Sequence, residues 1–329
     1  MALLSSGAIS ANAINLEIGV SGTAALSLNS NNVRMLAGQS SGSTSAISFN
    51  SFYSKTYADG STSARAASSA QYIKNLTGTT TNGVYWINLP TVGPKQTYCI
   101  MDPAYNGGGW MMMMKATTGT TFNYDANYWT TANTLNPTET NQNNGDAKYD
   151  IMNYFSATDM MARWPDIGSG GSIGGLGSWI WLENSFNGGT GITPISFFTN
   201  AGTYAGSSPT GPYGGKFIRD AKTFSGWGSG TFSSQADVRF YGFNFINYYS
   251  QVYFIRARVR WGFGWNENSE GLYSSAATLA TGGAPGSDDV SGGIGMDSGF
   301  GSYSAGDRIN CCQDSTGINR SARVEVYVR

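Results

Sequence analysis

Apolar positions between residues 83 and 115 recur with a period of two, which is the spacing of a pleated strand. Residues 84–87 alternate between two faces, and the prolines and glycines of 90–94 break this run and predict a second strand at 96–101. A triple glycine, 107–109, then predicts a backbone with positive φ or a close approach by another segment. The stretch therefore predicts three successive strands.

The rest of the pattern extends this β-rich picture. Met111 to Met114 are apolar on both faces, which predicts a strand buried on both sides. In two later segments, apolar residues alternate with charged ones, and we interpret the charged sides as solvated faces on which an arginine of one strand pairs with Glu325. The pattern predicts helical spacing in 149–164, short strands at 179–182 and 195–198, an aromatic strand region at 236–250, and the two alternating strands at 254–261 and 322–328. The fold class expected from these elements is α+β and β-rich.

The first 54 residues show a different pattern, that of a small helical module. Ser10, Ser30 and Ser48 each precede a short run with apolar residues three or four apart, which predicts three capped helical turns. So few large apolar residues make a weak core, so the module is expected to dock onto its own copies or onto another protein, and we predict a homotrimer. Residues 55–75 are rich in serine and alanine and predict a linker, which leaves 76–329 as the main domain.

Composition excludes several classes of function. The 329 residues hold 19 basic and 20 acidic side chains and no histidine, so histidine-based triads and dyads and the common zinc sites are ruled out. The sparse, balanced charge predicts neither nucleic-acid binding nor a polybasic membrane patch. No apolar run approaches the roughly 20 residues of a membrane-spanning helix, and the N-terminus lacks the basic region of a signal peptide.

The motif GVYWI…YCIMD…GGGW, within residues 83–110, resembles the opening of fibrinogen-like domains, including the intelectin branch. The resemblance implies a fibrinogen-like fold for residues 76–329, although Asp102-Pro103 and the inserted residues 104–106 depart from the family pattern. Such domains use the Tyr-Cys position in a disulfide, but here no cysteine precedes Cys99. We therefore expect Cys99 and the adjacent pair Cys311–Cys312 to be free thiols, as suits folding in a reducing cytoplasm.

The N-terminal module resembles small modules of tailed-phage virion proteins. The resemblance rests on residues 14–19, 26–29, 33–38 and 47–55, which cover most of the module. It implies a virion attachment segment that binds other virion proteins, in a protein made in the host cytoplasm and assembled into the extracellular particle. The alternative is a generic helical cap.

Oxygen donors are concentrated between Asn266 and Asp297, in loops with enough glycine to bend around a hard cation such as Ca2+. This segment resembles the ligand end of intelectins, which implies calcium ligands at Asn266, Glu267 and Asp289, followed by Asp297 and, from an earlier loop, Asp146. Those lectins place a histidine beside the ion, and here Asn268 or Glu270 is the candidate replacement. The open alternative is a set of solvated acidic loops without a metal.

Aromatic side chains near these loops are candidates to stack on a sugar: Trp261, Trp265, Tyr273 and Tyr303. Together these features predict a phage tail fibre or adhesin, not an enzyme, that binds host-surface carbohydrate. One alternative is a virion decoration or structural protein with a lectin-like fold. Another is a glycan depolymerase that uses Glu183 with Asp159, or Glu267 with Asp289.

Overall fold

The computed structural model describes residues 2–143, 145–165, 178–183, 191–200, 216–219, 240–249, 255–265, 290–298, 301–308, 319–321 and 323–329. The chain divides into two compact units. The first comprises residues 1–111 together with Arg329, and the second comprises residues 112–328.

The helices are concentrated in the first 77 residues, and strands predominate in the rest of the described chain. The α-helices are α1 (Ala11–Glu17), α2 (Asn31–Leu36), α3 (Ala70–Thr77), α4 (Asp150–Tyr154) and α5 (Pro194–Asn200). The strands are β1 (Gly83–Leu89), β2 (Gly93–Ile100), β3 (Trp110–Ala116), β4 (Ala147–Lys148), β5 (Met160–Trp164), β6 (Ser178–Glu183), β7 (Lys216–Arg219), β8 (Phe240–Tyr249), β9 (Ile255–Trp265), β10 (Val290–Ser298), β11 (Gly301–Arg308), β12 (Asn319–Ser321) and β13 (Val324–Val328). Single 3₁₀ turns occupy Phe49–Phe52, Ser63–Arg65 and Asn127–Trp129.

The three helical turns predicted near the N-terminus are confirmed. Ser10 precedes α1, and its hydroxyl accepts a hydrogen bond of 3.1 Å from the amide of Ala13. Ser30 precedes α2 in extended conformation, but its side chain does not cap the helix, because its hydroxyl donates to the carbonyl of Ser27 at 2.9 Å. Ser48 begins the turn at 49–52 and forms a reciprocal capping box with Ser51.

The apolar core of the first unit extends beyond residue 54. Ile14, Val33 and Phe52 are buried in one cluster, to which Tyr57 and Leu76 also belong. The segment predicted as a linker is compactly folded, because it contains most of α3 and because its backbone bonds to β1. In those contacts Gly60 accepts from Trp86 at 2.8 Å, and Ala67 accepts from Asn88 at 2.7 Å.

The predicted strand–turn–strand opening is confirmed as an antiparallel hairpin. β1 pairs with β2, and β2 pairs with β3 through Cys99–Met111 and Ile100–Trp110. The three glycines before β3 have φ of 85°, 74° and 82°. A Cβ on Gly108 would lie 2.4 Å from the carbonyl oxygen of Met101, so this turn requires glycine for its space as well as its torsion angle.

The second unit is built on two antiparallel sheets. One continues from β3 in the order β3-β13-β5-β6-β7, with β4 also paired to β3, and the other has the order β12-β11-β10-β9-β8. Every residue of β3 is buried, which confirms the methionines as core residues. The protein is therefore α+β and β-rich. Within the described residues no helix is long and apolar enough to cross a membrane.

Three local expectations were wrong. The helical spacing in 149–164 yields a helix only as far as Tyr154, and the chain then forms β5. Residues 195–198 belong to α5 rather than to a strand, with Pro194 at the first helical position, where its missing N–H costs nothing. The charged side of β13 is not solvated, since Glu325 and Tyr327 are 1% and 0% exposed.

Candidate functional site

Half of the ten predicted calcium and sugar residues lie outside the described part of the chain. These are Asn266, Glu267, Asn268 and Asp289 among the metal ligands, and Tyr273 among the aromatic residues. The alternative Glu270 lies outside it as well. Asp146, Trp261, Asp297 and Tyr303 are described in full, whereas Trp265 is described only as the last position of β9.

Strand register places the described candidates on two different faces of the second sheet. Trp261 stands opposite Ile294, and Tyr303 stands opposite Met296, whereas Asp297 stands opposite Ser302. Since neighbouring residues of a strand point to opposite faces, Trp261 and Tyr303 share one face and Asp297 belongs to the other. A sugar stacked on the two aromatic residues would thus be on the other side of the sheet from Asp297.

Only one of these two aromatic side chains is accessible. Trp261 is 1% exposed, while Tyr303 is partly exposed. On the other face, the carboxylate of Asp297 accepts a hydrogen bond of 2.6 Å from the hydroxyl of Ser302. The geometry therefore makes Tyr303 the described residue best able to meet a ligand.

Asp146 organises a turn of its own unit. Its carboxylate accepts hydrogen bonds from the amide and hydroxyl of Thr117, at 2.7 and 3.1 Å, and from the hydroxyl of Thr121. Its backbone oxygen accepts from the side chain of Asn136 at 2.8 Å. In the described residues, no three acidic, cysteine or histidine side chains come together in a way that could hold a metal ion.

The arginine face of β9 is covered where it is described. Arg260 donates at 2.7 Å to the carbonyl of Tyr124 and lies 4.3 Å above the centre of its ring. Next to it, the amide of Phe122 donates at 2.9 Å to the hydroxyl of Ser304. Gly295 fits here because a Cβ would lie 2.6 Å from Arg260 Cγ. Arg260, the arginine of this face whose side chain the structure describes, therefore packs against Tyr124 and is only partly exposed.

Glu325 is the centre of the most extensive buried polar cluster in the described residues. Its carboxylate lies 3.5 Å from the guanidinium of Arg163 and 3.7 Å from that of Arg323. It also accepts hydrogen bonds of 3.0 Å from the side chain of Gln142 and 2.7 Å from the hydroxyl of Tyr327. Burial and the adjacent carboxylate of Glu325 raise the pKa of Tyr327, so the phenol stays a donor.

Two buried lysines donate hydrogen bonds to loop residues of the same unit. Lys115, at 1% exposure, donates at 2.8 and 3.0 Å to the backbone and side-chain oxygens of Asn141 and also contacts the side-chain oxygen of Asn143. Lys148, at 0% exposure, donates at 2.7 and 2.6 Å to the carbonyls of Tyr128 and Thr131. Burial lowers the pKa of both amines, that of Lys148 to about 8.

Of the two predicted carboxylate pairs, Asp159 and Glu183 lie next to each other across the paired strands β5 and β6. Met160 pairs with Leu182, so Asp159 and Glu183 occupy adjacent positions at the same end of β5 and β6. Asp159 is buried, and Glu183 stands opposite Lys216 of β7. The pair Glu267 and Asp289 lies outside the described residues.

The N-terminal module buries both of its charged side chains. Glu17 is 4% exposed, accepts from the amide of Tyr57 at 2.8 Å and lies 3.7 Å from the guanidinium of Arg65. Arg34 is 7% exposed and donates at 2.6 Å to the carbonyl of Ser43 and also to that of Ser45. Both side chains tie loops to the helices of the module.

Cys99 is a free, buried thiol, and burial raises its pKa, which leaves it unreactive. Cys311 and Cys312 lie outside the described residues.

Sequence reasoning missed the cluster around Glu325 and Lys115. A signal was present in each strand, because Lys115 directly follows four methionines, and Glu325 alternates with valines. What the sequence does not show is that residues 141–143 contact both side chains. No protein-family model matches the chain, and no curated protein matches it significantly.

Proposed function

We propose that the protein is a bacteriophage virion component, a tail fibre or adhesin, that binds host-surface glycans without cleaving them. In this proposal residues 1–54 attach the chain to other virion proteins, and a fibrinogen-like, intelectin-like domain at 76–329 carries the recognition surface. The observation that carries the proposal is the neutral surface of the N-terminal module. Its two charged side chains, Glu17 and Arg34, are both buried.

The same module exposes apolar side chains. Leu4 and Leu16 are 61% and 60% exposed, and Val20 and Phe49 are each 41% exposed. A neutral, partly apolar surface suits permanent contact with other proteins, because no charge must be desolvated and copies do not repel one another. We therefore propose that the module also holds the chain in a homotrimer.

The glycan part of the proposal rests on the resemblance and on the few described residues that bear on it. Calcium would be held by Asn266, Glu267, Asn268, Asp289, Asp297 and Asp146. Sugars would stack on Trp265, Tyr273 and Tyr303, because the buried Trp261 offers no free face. Of these, Tyr303 supports the idea by its partial exposure. Asp146 already accepts three hydrogen bonds, which leaves about one acceptor position of its carboxylate, on Oδ2, for a cation.

Attachment is tested by adding charge to the neutral surface. Leu16→Lys places an ammonium on an exposed position of α1, and we expect the full-length protein to be lost from purified particles and to fall from trimer to monomer by light scattering. Asn133→Lys, at an exposed position of the second unit, is the matched control. Normal incorporation of Leu16→Lys into particles would refute attachment through this surface.

Recognition is tested with the full-length protein on host cells and a glycan array, with and without a calcium chelator. We expect binding that the chelator abolishes. If no host surface is bound under either condition, the adhesin role is wrong. If labelling also places the protein away from the host-facing end of the particle, the decoration role replaces it.

A further inference from the structure

The end of β3 brings an amine into contact with two carboxamides. The side chain of Lys115 is buried, and its Nζ lies 2.8 Å from the backbone oxygen and 3.0 Å from the side-chain oxygen of Asn141. The same Nζ is in close contact with the side-chain oxygen of Asn143. The carbonyl group of Asn143 is thus the electrophile nearest to the amine.

The surroundings favour the reactive form of this amine. Burial lowers the pKa of Lys115, with smaller opposing effects from the charges of Glu139 and Glu325. A lower pKa raises the neutral fraction of a lysine, and the neutral amine is the nucleophile.

A carboxyl group that can relay a proton lies below the same loop. Gln142, between the two asparagines, donates at 3.0 Å to Oε2 of Glu325. Oε1 of Glu325 is buried and accepts no hydrogen bond from the described residues, although it lies 3.7 Å from the guanidinium of Arg323. In the loop of residues 141–143, Asn141 and Asn143 therefore contact the amine of Lys115, and Gln142 contacts the carboxylate of Glu325.

We propose that Lys115 and Asn143 form an intramolecular isopeptide bond. The neutral Nζ attacks Cγ of Asn143, a C–N bond forms, and the bond from Cγ to the side-chain nitrogen breaks. The proton lost by Nζ passes through the carboxyl group of Glu325 to the leaving nitrogen, which departs as ammonia. An amine and a primary amide thereby become a secondary amide and ammonia, with no change of oxidation state.

The bond gives each neighbouring residue a defined task. Asn141 holds the amine with two oxygens, and Glu325 moves the proton. The link joins residues 28 apart in sequence and fixes the loop over the charged cluster of β13. Cross-linking two points of a chain reduces the freedom of its unfolded state, so the link would stabilise this part of the protein.

The first test is the intact mass of the purified full-length protein. We expect a mass about 17 Da below that of the sequence, the mass of one ammonia. After denaturation and trypsin digestion, Lys115 should resist cleavage, so residues 96–148 should appear as one internally cross-linked peptide about 17 Da lighter than its sequence. A full intact mass together with cleavage after Lys115 would overturn the proposal without any variant.

A succinimide at Asn144-Gly145 would lose the same mass, so the two products must be separated. Mild alkali hydrolyses a succinimide to a product about 1 Da heavier than the original chain, whereas an isopeptide bond survives. A deficit that disappears in alkali overturns the proposal, and one that persists supports it.

Matched variants assign the roles. Asn143→Ala should restore the full mass of its own sequence, while Asn141→Ala should keep the deficit; the reverse result would overturn the assignment to Asn143. Glu325→Gln retains an oxygen that accepts from Gln142 but removes the acid–base group, and we expect the rate of linkage to fall about 100-fold or more. Linkage at the normal rate in Glu325→Gln would overturn the relay, and the wild-type mass would still decide the bond.

Discussion

The N-terminal module and the sheet of β3, β13 and β5 both bury charged side chains, but they neutralise them differently. In the module, Arg34 is bonded to carbonyl oxygens and Glu17 to an amide and to one arginine. Around β13, by contrast, Glu325 contacts two arginines, a glutamine and a tyrosine. The first arrangement ties loops to helices, and the second holds a loop over a sheet.

The difference follows from the amount of apolar side chain that each region contains. The module has short helices and few large apolar residues. Hydrogen bonds from its buried polar side chains therefore hold its loops in place, whereas a larger apolar core would do so by packing. The sheet has a fully buried methionine strand and does not depend on charge for its core. One result is that the module is left with a neutral surface, which suits assembly.

The sharpest way to break this comparison is Glu325→Ala. The change leaves Arg163 and Arg323 without their shared carboxylate in a buried site, and we expect a loss of about 3–5 kcal/mol in the free energy of unfolding by urea denaturation. Glu139→Ala, at an exposed position, is the control and should stay within about 0.5 kcal/mol. An equally small effect of Glu325→Ala would mean that the cluster does not stabilise the sheet.

Arg34→Leu tests the module in the same way. The guanidinium hydrogen bonds to Ser43 and Ser45 are lost and leave these carbonyls unsatisfied, so we expect a loss of about 2–3 kcal/mol. Arg34→Lys should recover only part of it, because an ammonium cannot reproduce the planar fork. Full recovery by lysine would show that charge alone, and not geometry, holds the loop.

Glu17→Gln sharpens the comparison with a smaller effect. Glutamine can still accept from the amide of Tyr57, but it loses the ion pair with Arg65, so we expect about 1 kcal/mol of destabilisation. The ion-pair part should be absent when Glu17→Gln is made in an Arg65→Gln background. A double-mutant cycle with no coupling would contradict the pair.

Lys148 gives an effect that is confined to alkaline pH. Burial lowers its pKa from 10.5 to about 8 in the folded protein. Between these pH values the unfolded chain binds more protons at this site, so stability should rise with pH relative to the Lys148→Met variant. Below pH 8 both states are protonated at this site and the difference should be constant. Parallel stability curves above pH 8 would refute the lowered pKa.

The helix caps and the glycine turn could be predicted because each depends on residues within a few positions in the sequence. Ser10 and Ser48 cap as expected because capping depends on residues within three positions, and Gly107–Gly109 adopt positive φ because few other residues can. The strand predicted at 195–198 failed for the opposite reason. Four apolar residues fit either element, and Pro194 with Thr193 before it favoured a helix.

The candidate site was less predictable because its parts are distant in sequence. The intelectin resemblance implies Asp146 as a calcium ligand, but only the structure shows that its carboxylate accepts three hydrogen bonds from the turn at 117–121. Trp261 was chosen as an aromatic face, and its burial depends on strands paired across the sheet. Neither fact has a signature within a few residues.

The sequence by itself determined the capped helices, the glycine turn, the buried methionine strand and the exclusion of histidine chemistry, since each depends on residue type or on near neighbours. Only the tertiary structure decided which charges are buried and what they contact. Lys115 meets Asn143, and Glu325 meets Arg163, because strand pairing and a loop bring together residues far apart in the chain. The burial of these side chains depends on those long-range contacts. The chemistry that we propose for Lys115 depends on that burial.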